Sequence, residues 1–286
     1  MEEVSRVAQT SRSETERPET QGYNTQRLET PTPKVVGAAP AGANDSSSAS
    51  RAVREMFTSI APRYDVLNHI LSFNVDRLWW RRTARTFSHI FSQPDSRILD
   101  LCCGTGDMTF ALLKQASRPD QQILGADFSH AMLQRARAKT RDQIENNGNA
   151  APPRWIEADA LCLPFSSAHF NLVTSAFGFR NLADYDAGLR EIARVLKPGG
   201  ECGILDFSEP KGVMGRLYRI YFKQVLPRVG TFISGVRGPY AYLPNSVERF
   251  PQPEEMLDRM RRAGFREASW TPYTLGIAGL YRGKKI

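Results

Sequence analysis

Arg97-Ile98-Leu99-Asp100-Leu101-Cys102-Cys103-Gly104-Thr105-Gly106-Asp107 decides how the rest of this chain reads. Its first six residues form an apolar run with one acid, the pattern of a central parallel strand buried on both faces. Gly104 and Gly106 then remove Cβ where the chain turns sharply and lets a ligand approach the backbone. Asp107 to Gln115 carries the pattern of a following helix. A strand, a Gly-x-Gly turn and a helix together suit a nucleotide or cofactor site.

Downstream, Gln122 to Asp127 repeats the theme, a short apolar run ending in an acid, and Ser129 caps a helix predicted through Asn146. Beyond a loop rich in Asn, Gly and Pro, Trp155 to Ala160 reads as a third strand and Phe170 to Thr174 as a fourth. Phe177-Gly178-Phe179-Arg180-Asn181 follows it. Tyr185 to Leu196 is helical in pattern, Lys197-Pro198-Gly199-Gly200 stops it, and Gly203 to Phe207 is a fifth strand. From Pro253 the pattern gives a helix to Gly264, then strands near Ala268 to Tyr273 and Gly276 to Arg282. Strands alternating with helices at this spacing predict a doubly wound, mostly parallel sheet whose ligand lies at the carboxyl ends of its strands.

Upstream, residues 1–50 are rich in Ser, Thr, Glu, Pro and Ala and nearly devoid of large apolar residues, which predicts a disordered tail. From Arg51 to residue 92 apolar positions recur at helical spacing, interrupted by Pro62, and a helix is expected over Arg77 to Phe91. Residues 212–235 carry Met214, Leu217, Tyr218, Tyr221 and Phe222 on one helical face, interleaved with Arg216, Arg219 and Lys223. The expected organisation is therefore a tail (1–50) and one domain (51–286). Within that domain lie a helical cap (51–92), a cofactor-binding core (97–207) and a lid or substrate region (212–245).

The tail holds five Lys/Arg against seven Asp/Glu, a balance of −2, so the chain's +8 leaves +10 for residues 51–286. A basic body suits nucleic acid, an anionic membrane or an acidic ligand, and equally a solvated face. No apolar run approaches the roughly 20 residues of a membrane span and no signal-peptide core is present, so a cytoplasmic protein is expected. Cys102, Cys103, Cys162 and Cys202 lack metal-ligand spacing and are expected to be reduced core residues, with no metal site.

Three readings of the glycine turn compete. A dinucleotide-binding dehydrogenase wants a third glycine where this chain has Thr109. A purely structural reading treats each strand-end acid as a helix cap or solvent-facing group. An S-adenosylmethionine site gives each of the three acids a role, with Asp100 at the charged methionine end, Asp127 at the ribose hydroxyls and Asp159 at the adenine amino group.

The sequence resembles the class I methyltransferases, and more narrowly the ubiquinone/menaquinone biosynthesis C-methyltransferase family, over residues 53–285. The resemblance rests on Val53-Arg54-Glu55-Met56-Phe57, Ile60-Ala61-Pro62-Arg63-Tyr64-Asp65, Asp100 to Asp107, Ala158-Asp159-Ala160 with Leu163-Pro164-Phe165, Ala176 to Asn181, Arg194 to Gly200, Tyr242 to Val247 and Ala263-Gly264-Phe265. It implies a Rossmann-like, mostly parallel seven-stranded sheet with an N-terminal helical cap and a helical lid insertion. It also implies S-adenosylmethionine contacts from Thr105, Asp127, Asp159 and Ala160, beside Asp100, Gly104 and Gly106, which the turn itself suggests.

The activity implied is C-methylation of a polyprenylated quinol, demethylmenaquinol to menaquinol or a ubiquinone precursor. Arg180 and Asn181 would then orient the quinol oxygen or a water that takes its proton, with Tyr64 in the same network. A bilayer-borne substrate would bring transient contact with the inner face of the plasma membrane, through residues 212–235, and a homodimer is compatible. Other readings are a methyltransferase for a different small molecule and a non-catalytic cofactor-binding subunit of a quinone-synthesis complex. RNA methylation fits the charge but lacks an aromatic-basic module, and no nucleic-acid partner is expected.

Overall fold

The computed structural model describes residues 37, 38, 40, 43, 45–61, 65, 69, 72, 74–116, 118, 121–144, 151–210, 212, 215, 216 and 239–286. Tyr64 and nearly all of the segment 212–235 lie outside them. The elements in chain order are α1 (Ser46–Ile60), α2 (Val75–Thr86), α3 (Ser88–Phe91), β1 (Arg97–Leu101), α4 (Asp107–Leu113), β2 (Gln122–Asp127), α5 (His130–Ile144), β3 (Arg154–Glu157) and β4 (Phe170–Ala176). They continue with α6 (Tyr185–Val195), β5 (Leu196–Phe207), α7 (Pro239–Arg249), α8 (Pro253–Arg262), β6 (Phe265–Tyr273) and β7 (Ala278–Lys285).

The strands form one seven-stranded sheet in the order β3-β2-β1-β4-β5-β7-β6. β1 pairs in parallel with β2 and β4, and only β7 runs antiparallel to its neighbours. The expected fold class is therefore observed. β1 sits mid-sheet with Ile98, Leu99, Asp100 and Leu101 all buried. Alternation along the strand sends Ile98 into a core with Trp79, Phe87, Phe91 and Phe110, and Leu99 and Leu101 into a core with Tyr185, Leu189, Ile192 and Met256. Chain order reverses between β1 and β4, and the crevice at their carboxyl ends is where a ligand of such a sheet is expected.

Several boundaries differ from expectation. Helical structure begins before residue 51, because Asp45 caps α1 through Ser48 N at 2.7 Å while Ser48 Oγ accepts from Asp45 N at 3.1 Å. Gly37 N and Ala38 N also donate to the carbonyls of Ala183 and Leu182, at 3.0 and 2.7 Å. The single helix expected over Arg77 to Phe91 breaks at Phe87, whose buried ring occupies the space left by Gly203. Cys162 is exposed, in an isolated bridge with Asp159 beyond β3, and is not a core residue.

Candidate active site

The turn after β1 is built by backbone geometry that side chains resist. Cys102, Gly104 and Gly106 all take left-handed φ angles, of 54°, 56° and 92°. Gly106 has no room for more: a Cβ there would stand 2.5 Å from the Trp155 ring. The turn is closed by Gly106 N donating to Cys103 O at 2.9 Å, and Cys103 N ties it to Ala126 O of β2 at 3.0 Å.

Asp127, at the end of β2, holds this turn. One carboxylate oxygen accepts from Gly104 N at 2.8 Å and the other from Ser129 N at 2.9 Å. Burial pushes its carboxyl up to about 6, against those two backbone bonds, which favour the charged form. Asp159 follows β3, is exposed, and accepts from Leu161 N at 2.9 Å, with Ala160 buried beside it. Ala158 N donates to Asp127 O at 3.0 Å, which brings the ends of β2 and β3 together.

Asp100, expected at the methionine end directly or through water, is tied into the protein by two hydroxyls. It is fully buried, and its two oxygens accept from the hydroxyls of Thr109 at 2.6 Å and Thr174 at 2.9 Å. It thus ties α4 and β4 to β1, and burial pushes its carboxyl up to about 7 despite those bonds. The threonine at position 109, which breaks the dinucleotide fingerprint, is one of its partners.

Thr105 meets Lys139, which the sequence pattern does not single out. Lys139 of α5 donates to Thr105 Oγ1 and to Asp107, both at 2.9 Å, and pairs with Asp65 at 2.8 Å. The Thr105 hydroxyl itself donates to Asp65. One lysine therefore joins the glycine turn, the start of α4 and the residue that follows Tyr64.

At the end of β4, Phe177 takes φ 57° and a 3-10 turn over Phe179–Asn181 follows. Arg180 is buried and its Nη1 bonds the Phe177 carbonyl and, at 2.9 Å, Asp206 at the end of β5; its backbone N donates to the other Asp206 oxygen at 3.1 Å. The Arg180 guanidinium lies 5.2 Å from the Phe207 ring centre. Asn181 Oδ1 accepts from the Tyr242 hydroxyl at 3.2 Å, and burial pushes that phenol up to about 12. Asp206 escaped the sequence reading although Gly203 to Phe207 repeats the apolar-run-and-acid pattern of β1 and β2. Lys139 left no such signal, since only the tertiary fold brings it to the turn.

The donor set is rich in acceptors and negative charge. Asp107 occupies the first position of α4, where a dinucleotide's pyrophosphate would need bare N–H groups. A cationic ligand bearing hydroxyl and ammonium groups fits the same residues.

A family model described as the ubiE/COQ5 methyltransferase family matches residues 44–285. A demethylmenaquinone methyltransferase of Deinococcus radiodurans is 45% identical over 242 residues, covering 84% of this chain and 95% of the relative. The ubiquinone/menaquinone biosynthesis C-methyltransferase UbiE of Geobacter sulfurreducens is 42% identical over 234 residues, covering 82% and 88%. A solved SAM-dependent methyltransferase of Thermotoga maritima, described as a possible histamine N-methyltransferase, aligns with a TM-score of 0.56 at 18% identity, over 82% of this chain and 100% of the other. That last likeness is one of fold.

Proposed function

The chain belongs to the ubiE/COQ5 methyltransferase family, and from that premise we propose that its methyl acceptor is a ring carbon of a polyprenylated demethylquinol, demethylmenaquinol first. Its methyl donor is S-adenosylmethionine and its place is quinone biosynthesis. The observation that carries the acceptor is the 45% identity to a demethylmenaquinone methyltransferase over 95% of that relative's length.

The residues present fit the donor. Asp127 keeps free acceptor capacity on both oxygens for a pair of ribose hydroxyls, since each takes one backbone N–H. Gly104, Thr105 and Gly106 offer a turn without Cβ bulk at its two glycines, and Asp159 and Ala160 flank the adenine side. Asp100 ties α4 and β4 to the turn through Thr109 and Thr174, at the end of the site read for the charged methionine group, directly or through water. When bound, S-adenosylmethionine supplies an electrophilic methyl on a cationic sulfur.

On the acceptor side the protein has to orient the quinol, exclude water and help remove a phenolic proton. Arg180, held by Asp206 and the Phe177 carbonyl, presents positive charge toward a developing phenolate, and Asn181 Nδ2 donates to the same carbonyl at 3.5 Å; Tyr64, expected from the sequence to join them, lies outside the described residues. Phe177 and Phe207, their ring centres 4.6 Å apart, provide an apolar wall beside that charge.

The test is direct. Purified protein given S-adenosylmethionine and demethylmenaquinol should yield menaquinol, one methylene heavier by mass spectrometry, with S-adenosylhomocysteine in equal amount. The UbiE relative, whose name covers both quinones, favours a second acceptor, so a benzoquinol precursor of ubiquinone belongs in the same assay. Cofactor binding without product from either acceptor would refute the proposal.

A further inference from the structure

Among the described residues the exposed large apolar side chains are Leu78 at 58%, Leu275 at 74% and the terminal Ile286. The first two belong to one region of surface. Trp79 Nε1 donates to Thr274 Oγ1 at 2.8 Å, and Leu78 and Leu275 are the chain neighbours of that bonded pair. Leu275 is held outward by a turn that side chains seldom adopt, with φ 45° at Thr274, 57° at Leu275 and 90° at Gly276. Ser208 anchors the turn, its hydroxyl donating to Gly276 O at 2.7 Å and its N to Ile277 O at 3.0 Å.

α2 supplies charge around the leucines. Arg77, Leu78, Arg81, Arg82 and Arg85 are all exposed, and helical geometry places them within one arc of about 140°. Asp76, Trp79, Trp80, Thr83 and Ala84 fill the buried arc. The helix's one acid is thus turned inward, where it meets His69 Nδ1 at 2.9 Å. Among the described residues no carboxylate pairs with any of the four arginines, although Arg82 also lies 4.2 Å over the Tyr273 ring.

This face adjoins the site. Trp79 packs against Phe177 and Phe207, with ring centres 5.7 and 6.2 Å away, at the carboxyl ends of β4 and β5. β7 begins at Ala278 opposite Phe207, so the Leu275 turn stands at the same edge of the sheet.

We infer that α2 and the Thr274–Gly276 turn form a docking surface for an anionic lipid bilayer. The arginines meet headgroup phosphates while Leu78 and Leu275 enter the interface. Four exposed arginines with no carboxylate partner among the described residues select an anionic partner, and the two projecting leucines select a bilayer over a soluble polyanion. The value of this surface to the reaction rests on the acceptor proposed above; lipid binding itself does not.

Flotation of the full chain with vesicles tests it. Binding is expected to vesicles of phosphatidylcholine with phosphatidylglycerol, to weaken as salt rises, and to be near absent with phosphatidylcholine alone. Arg81→Glu with Arg85→Glu, and separately Leu78→Ser with Leu275→Ser, should each cut binding about tenfold or more. Arg216→Glu, on the other basic segment, should leave it within about twofold. Leu275→Ser alone, with folding checked by S-adenosylmethionine calorimetry, guards against a misfolded double variant and should lower binding in the same direction. Equal binding to neutral vesicles, or wild-type binding by both double variants, would overturn the inference. So would loss with the arginine variants and none with the leucine variants, which would point to an acidic protein or RNA instead. Turnover of a soluble, tail-less demethylquinol should be the same in wild type and variants. If wild type itself fails to turn that compound over, the acceptor proposal falls while the flotation result stands.

Discussion

Asp127 and Asp100 differ in what they offer a ligand, and their titration separates them. Asp127 is linked to the turn yet retains acceptor capacity, so Asp127→Ala should raise the dissociation constant for S-adenosylmethionine about tenfold or more by calorimetry. Because its carboxyl sits at about 6, wild-type affinity should also fall as pH drops through that value, a dependence that the variant lacks. Both folded-state values, about 6 and about 7, lie above the ordinary 3.8, so each group's contribution to stability is full below about pH 4 and is lost as pH rises through its folded value. Asp100→Asn removes one of these two losses. Its unfolding free energy should therefore fall less than wild type's between about pH 5 and about pH 8, by on the order of 2 kcal/mol in urea titrations. Arg180→Ala leaves the buried Asp206 carboxylate without its partner and should cost about 3–5 kcal/mol of stability. Under conditions where it remains folded, its turnover should fall more than its cofactor affinity, and the opposite pattern would remove Arg180 from the acceptor side.

At the scale of elements, the turn between β1 and α4 is the most demanding piece of backbone. Gly106→Ala forces a Cβ to a φ of 92° and to 2.5 Å from the Trp155 ring. The left-handed strain and the overpacking together should cost about 2–4 kcal/mol, measurable by denaturant unfolding, with cofactor binding lost. This turn was legible in the sequence because a strand buried on both faces must be an apolar run, and glycine must follow where it breaks. Other elements were not. α7 contains Pro244, which reads as a breaker, yet Pro239–Arg249 is helical around it. Lys197 to Gly200 follows the end of α6 as read, but β5 already starts at Leu196 and not at Gly203; its register against β4 shifts between Phe170 and Leu172, so the four residues are absorbed by an irregularity in the pairing. Phe87 interrupts a helical pattern because its ring fills the space above Gly203, a cause that no local window contains. The strand-end acids could be found by their pattern, Asp206 among them, whereas Lys139 reaches the turn only through the tertiary fold, and the pairing of Asp206 with Arg180 depends on β4 and β5 lying side by side.

Across the whole molecule, one sheet with both faces covered sets the ends of β2, β1, β4 and β5 side by side about the point where the chain order reverses. The acids at β1, β2 and beyond β3 gather on one side of it, and Arg180, Phe177 and Phe207 on the other, an arrangement suited to a cationic donor meeting an apolar, oxygen-bearing acceptor. No helix among the described residues is long and apolar enough to cross a membrane. The basic face of α2 and the Leu275 turn lie at the sheet edge beside Phe177 and Phe207. The quinone content of the source cell, profiled by mass spectrometry with and without this gene, tests C-methylation in quinone biosynthesis most directly. Loss of the protein should replace menaquinone by a species one methylene lighter, restored by the wild-type chain and not by Asp127→Ala, whereas an unchanged quinone profile would contradict the assigned reaction.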